Sequence, residues 1–176
     1  AAAALCAGLA LNINVEGMLE AMREVTVPSG RLRVDRQVWL DAQRSIHIID
    51  DTYNANPSST SVACKTLVGL AGENRSVAIL GDMLELGEAS ANLHHRAGHG
   101  AAVEGVDWVL GLGRYSDSVR AGAQEMQVQA SGYEAQETLL AKLRMDLRDG
   151  DWVLFKGSRG MHMETLVKNL KQGDSG

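Results

Sequence analysis

The chain has 176 residues, 45% of them apolar, enough for one full domain with a substantial core and a piece of another. A net charge of −5 without a block of like charge argues against a basic nucleic-acid face, and 4% aromatic residues against a base-stacking platform. The two cysteines, Cys6 and Cys64, lie far apart with no CxxC spacing, the pattern of reduced thiols in a cytosolic protein.

The first eleven residues are apolar. No basic segment precedes them, and Asn12 and Asn14 cut the run short, so they read as a buried helix and not as a leader or a membrane span. With neither a methionine nor a cap before this helix, the chain is expected to begin inside a longer protein. A second helix is predicted from Asn14, with Val15, Met18, Leu19, Met22 and Val25 on one face. Val27-Pro28-Ser29-Gly30 breaks it and reads as a linker. Residues 31–34 and 37–40 look like two short strands around an Asp35-Arg36 turn. Short apolar runs at 45–49, 76–80, 107–110, 127–130 and 151–155 then alternate with helical patterns at 57–70, 90–104, 115–126, 134–147 and 161–171. That grammar predicts an α/β domain over 31–171: a Rossmann-like, doubly wound, mostly parallel sheet with both faces covered, and a frayed tail at 172–176.

Ligands of open α/β sheets bind outside the carboxyl ends of the strands. Asp50-Asp51-Thr52-Tyr53-Asn54-Ala55-Asn56-Pro57 stands at such an end, with Asn56 as a helix cap and Pro57 in the first helical position. A capped turn explains Asn56, but it has no need of two carboxylates, a phenol and two carboxamides together. Gly81-Asp82, Gly111-Leu112-Gly113-Arg114 and Lys156-Gly157-Ser158-Arg159-Gly160 leave three further strands. If the strands are parallel, all four exits share one edge. In the last exit, glycine permits close approach to a ligand, and Lys156 and Arg159 suit a carboxylate or a phosphate.

Other chemistries find less support. The string GxxxxGK[ST] is absent, and Ser116 stands where GxGxxG would need its third glycine. His95 and His99 are four apart, but Arg96 lies between them, so they read as surface residues and not as metal ligands. His47, among isoleucines, reads as a packed histidine, and no Ser/His/Asp or Cys/His set has useful spacing. A receiver-like phosphoacceptor domain is the alternative from another class, since Asp50, Asp51, Asp82 and Lys156 mimic its acids and lysine.

In order and spacing, these motifs resemble the C-terminal part of the Mur ligases. The resemblance rests on Gly30-Arg31-Leu32, on Asp51-x-Tyr53-Asn54-Ala55-Asn56-Pro57, and on Gly81-Asp82-Met83-Leu84-Glu85-Leu86-Gly87. His94, Lys156-Gly157-Ser158-Arg159 and Met163-Glu164 complete it. Where the family has Pro-Gly-Arg, this chain has Pro28-Ser29-Gly30-Arg31. The resemblance implies that residues 1–26 are the last helices of a central ATPase domain, 27–30 a hinge, and 31–171 the domain that brings the incoming amine. It further implies an ATP-dependent ligase, cytoplasmic and monomeric, that joins D-alanyl-D-alanine to UDP-N-acetylmuramoyl-tripeptide through an acyl phosphate. The Walker loop and the Mg2+ ligands would then lie before Ala1, and this chain alone would be inactive. Arg31, Asp51, Tyr53 and Asn54 would serve ATP. Asn56, Gly81, Asp82, Lys156, Ser158 and Arg159 would serve the dipeptide.

Overall fold

The computed structural model describes residues 2–24 and 29–172; Val25, residues 27–28 of the expected hinge and the tail from 173 lie outside that description. Two helices come first, α1 (Ala2–Ala10) and α2 (Val15–Glu24). Asn14 opens the second as predicted, its Oδ1 accepting the Glu16 N–H at 2.8 Å. Leu9, Leu11, Ile13, Val15 and Leu19 of this pair are exposed.

The domain that follows runs β1 (Arg33–Trp39), β2 (Ser45–Asp51), α3 (Pro57–Ala71), β3 (Ser76–Gly81), α4 (Ser90–Val103), β4 (Trp108–Leu112), α5 (Ser116–Gln124), β5 (Gln129–Tyr133), α6 (Gln136–Asp146), β6 (Trp152–Lys156) and α7 (Met163–Lys171). The six strands form one sheet in the order β1-β2-β6-β3-β4-β5. All neighbours are parallel except β1, which runs antiparallel to β2. Every residue of the central strands β3, β4 and β6 is buried, which is why those runs are continuously apolar.

Alternate side chains enter two separate cores. Ile46, Ile48, Val77, Ile79, Val153 and Phe155 pack with Leu139 and Leu143 of α6 and Leu166 and Leu170 of α7. Ile49, Ala78, Leu80 and Leu154 pack under α3, α4 and α5 through Ala63, Leu67, Ala101, Val119 and Ala123. Helices α4 and α5 touch backbone to backbone: a Cβ on Gly98 would lie 2.0 Å from the Val119 carbonyl oxygen.

The two short strands expected at 31–40 are instead one strand, β1. Its register slips between Asp35 and Val38, and Gln37 there adopts φ of 53°. This bulge lets the Gln37 N–H reach His47 Nδ1 at 3.3 Å, and His47 stacks on Trp152 at 4.5 Å, as expected of a packed histidine. Strand β5, expected at 127–130, starts two residues later, after Gln127 at φ 60°.

Candidate functional site

The exits of β2, β3, β4 and β6 share one rim, as the parallel register requires. Asp51 lies directly opposite Lys156 in that register. Lys156 is 2% exposed, and its Nζ donates to Asp51 Oδ2 at 2.5 Å and to the Asn54 carbonyl at 3.0 Å. Asp51 Oδ1 accepts the Leu32 N–H at 3.1 Å. One carboxylate thus joins β6, the last strand in the chain, to the segment entering β1.

A cleft of about 580 Å³ opens beside this pair, lined by Gly30, Arg31, Leu32, Asp51, Tyr53, Asn54, Asn56, Ser58, Ser59, Val62 and Lys156. Gly30 is needed at φ 76°, because a Cβ there would meet the Tyr53 nitrogen at 2.9 Å, and that same amide donates to the Gly30 carbonyl. The Arg31 guanidinium lies 4.1 Å from the Tyr53 ring centroid, and that of Arg159 lies 5.4 Å from it. Asn56 caps α3 in a reciprocal box with Ser59, so the positive end of that helix faces the cleft. Asp50 faces the other way, accepting from the Thr52 hydroxyl at 2.7 Å.

On the far side of Tyr53 is a second, smaller cleft of about 290 Å³, lined by Tyr53, Asn54, Leu84, Glu85, Ser158, Arg159 and Gly160. Its walls are bonded together from three strand exits. The Asp82 carboxylate accepts the amides of Arg114 at 2.9 Å and Tyr115 at 3.0 Å. The Ser158 hydroxyl accepts the Leu84 N–H at 2.9 Å, while its own amide donates to the Asp82 carbonyl. Gly81 and Gly157 lie under Met163, whose thioether would have to shift to admit a Cβ at either. Gly113, at φ 105°, leaves room for the Asp82 carboxylate.

The ten residues singled out from sequence therefore divide into two groups. Arg31, Tyr53, Asn54, Asn56 and Arg159 are exposed along the clefts, and Asp51 is partly so. Gly81, Asp82, Lys156 and Ser158 are buried, with the polar side chains engaged inside the chain, although Lys156 and Ser158 also line the larger and the smaller cleft. Sequence reasoning missed Ser58, Leu84, Glu85 and Gly160. Glu85 sits inside the Gly81–Gly87 motif, but its φ of 65° leaves no mark in sequence.

The strand order also excludes the receiver alternative: a receiver's lysine strand lies at the edge of its sheet, whereas β6 lies between β2 and β3. Asp50, Asp51 and Asp82 each have different partners and form no acidic cluster. Among the described residues no group of three His, Cys, Asp or Glu could hold a metal ion. His95 pairs with Glu125 at 3.2 Å. Burial pushes the Cys64 thiol up to about 12, with Lys156 acting the other way, so it is no nucleophile.

A mostly parallel sheet with a polar rim, two adjoining clefts and two arginines near Tyr53 defines an α/β domain with a candidate binding edge. Its relatives are specific. Residues 30–159 match the family model described as Mur ligase, glutamate ligase domain, so the chain belongs to the Mur ligase family. It is 31% identical over 172 residues to UDP-N-acetylmuramoyl-tripeptide–D-alanyl-D-alanine ligase of Bacillus subtilis (strain 168), covering 97% of this chain and 36% of that protein. The enzyme of that name from Synechocystis sp. is 30% identical over 154 residues, covering 86% of this chain and 32% of that protein. Crystal structure II of MurF from Acinetobacter baumannii superposes with a TM-score of 0.76 at 29% identity, covering 94% of this chain and 35% of that one. The chain thus spans about a third of the length of these relatives.

Proposed function

We propose that this chain is the amine-delivering domain of an ATP-dependent ligase that joins D-alanyl-D-alanine to UDP-N-acetylmuramoyl-tripeptide in peptidoglycan precursor synthesis. The observation that carries the reading is the paired clefts on one rim, with Tyr53 and Asn54 lining both. Relatives at 31% and 30% identity carry that activity in their names.

The reaction transfers phosphate from ATP to the tripeptide carboxylate. The dipeptide amine then attacks the acyl phosphate, forming the C–N bond as phosphate leaves. A protein accelerates such steps by neutralising phosphoryl charge and by holding an uncharged amine in line. The larger cleft suits the nucleotide. Arg31 supplies a cation for its phosphates, the N-terminus of α3 favours the same charge, and Tyr53 offers an aromatic surface. Asp51 keeps lone pairs for ribose hydroxyls, and Lys156 and Leu32 fix its orientation.

The smaller cleft suits the dipeptide, with Arg159 for its carboxylate and Leu84 for its methyl groups. Gly81, Asp82, Lys156 and Ser158 hold these walls in place.

Phosphoryl transfer needs a phosphate-cradling loop, and the chain contains no GxxxxGK[ST] string. We assign that step, and the ligands for Mg2+, to residues outside this chain, so the chain alone is inactive. Helices α1 and α2, with their exposed leucines, belong in this reading to the ATP-binding domain, and 27–30 to the hinge between the two. In this reading, which follows the family resemblance, the enzyme acts as a cytoplasmic monomer on small-molecule precursors. The test is turnover by the full-length protein. Phosphate release is expected to require ATP, the nucleotide tripeptide and D-alanyl-D-alanine together. Release indifferent to the dipeptide sinks the proposal.

A further inference from the structure

His94 is 1% exposed, lies on α4 and takes no part in the chemistry above. Its Nε2 is 2.7 Å from the Met83 nitrogen, an N–H that can only donate, so Nε2 accepts. Its Nδ1 is 2.7 Å from the Ser90 carbonyl, which can only accept, so Nδ1 carries the proton. The ring is therefore neutral, in one defined tautomer. Its face stacks on Tyr115 at 4.6 Å, and Asp82 Oδ1 stands 3.9 Å from Nε2. One imidazole thus touches the exits of both β3 and β4.

We infer that His94 is a positioning residue: by accepting the Met83 N–H it sets the course of the backbone through Leu84 and Glu85, and with it one wall of the smaller cleft. Met83 is buried, so without this acceptor its amide must turn to find another partner. Leu84 and Glu85 follow it, although Ser158 still holds the Leu84 amide. Arg31 rests on Tyr53, and Asp51 is held by Leu32 and Lys156; His94 reaches that side only through the small buried space it shares with Lys156, so its effect falls first on the smaller cleft. The kinetic consequence rests on the reading that the smaller cleft takes the dipeptide; the positioning role does not.

Two readouts need no turnover and use the full-length protein. Nitrogen-15 shifts of the His94 ring are expected to show Nδ1 protonated and Nε2 bare. In His94→Leu the amide signals of residues 83–85 are expected to move while those of Asp51 and Tyr53 stay. In His94→Gln, whose side-chain oxygen can replace Nε2, they return towards wild type. In the full-length protein His94→Leu should raise KM for the dipeptide about tenfold with KM for ATP within about twofold, and His94→Gln should recover most of the loss. A proton on Nε2, unmoved signals at 83–85, or both KM values rising together overturns the inference. Should His94→Leu fail to fold, the wild-type tautomer and the His94→Gln kinetics decide. A full-length wild type with no ligase activity defeats the proposed function, and the two spectroscopic readouts still decide the role of His94.

Discussion

The two clefts differ in what holds their backbone. Around the smaller one, three buried polar side chains, Asp82, His94 and Ser158, take the amides of Met83, Leu84, Arg114 and Tyr115. Around the larger one, Asp51 accepts the Leu32 N–H, Asp50 accepts the Ser29 hydroxyl, Lys156 holds the Asn54 carbonyl, and exposed Arg31 and Tyr53 rest on each other. Under the proposed function, a wall tied down like that of the smaller cleft would suit a small ligand whose amine must meet its target in line. In the same reading, the exposed Arg31 and Tyr53 of the larger cleft are the side chains that would meet the nucleotide. The lesson is that buried polar residues at a strand end can belong to a site without facing its ligand.

This contrast can be broken at its supports. The largest effect is expected from Lys156→Met, which leaves the Asp51 carboxylate facing the space of a lost ammonium; denaturant unfolding should show a loss of about 3 kcal/mol. Adding Asp51→Asn should restore most of it, and a double variant as unstable as the single would show that packing matters more than charge. Next comes Asp82→Ala, which strands two amides and should cost about 2 kcal/mol, read from the same midpoint, with Asp82→Asn costing less.

The smallest effect lies away from the rim, at Asp35. Burial there works to raise the carboxyl pKa, but the Lys171 and Arg33 side chains outweigh it and hold it below the ordinary value. A lowered folded-state pKa means that the stabilisation is complete above the unfolded value of about 3.9 and lost as pH falls through the folded one. The stability gap between wild type and Asp35→Asn should therefore be present at neutral pH and shrink in acid. A gap that stays constant would contradict it.

The parallel core was legible because β3, β4 and β6 are buried on both faces, so apolar runs alone marked them. The edges were not. Strand β1 hid its bulge behind Gln37, whose left-handed backbone has no composition signal, and β5, only partly buried, carries Gln129, Ser131 and Gly132 where an inner strand carries valine. At the site, the convergence of Asp51 and Lys156 was legible from strand parallelism, and the register pairs them directly. Whether a polar side chain faces a ligand or a neighbouring amide was not. Asp82 and Ser158 stand out in sequence as polar rim residues, but nothing there shows that each also accepts backbone amides from neighbouring strand exits.

The division of labour between the clefts is tested most directly by steady-state kinetics of two single variants of the full-length protein. Arg31→Ala should raise KM for ATP about tenfold with little change for D-alanyl-D-alanine, and Arg159→Ala should do the reverse. Both variants raising both constants alike, or neither variant moving either, would contradict the account.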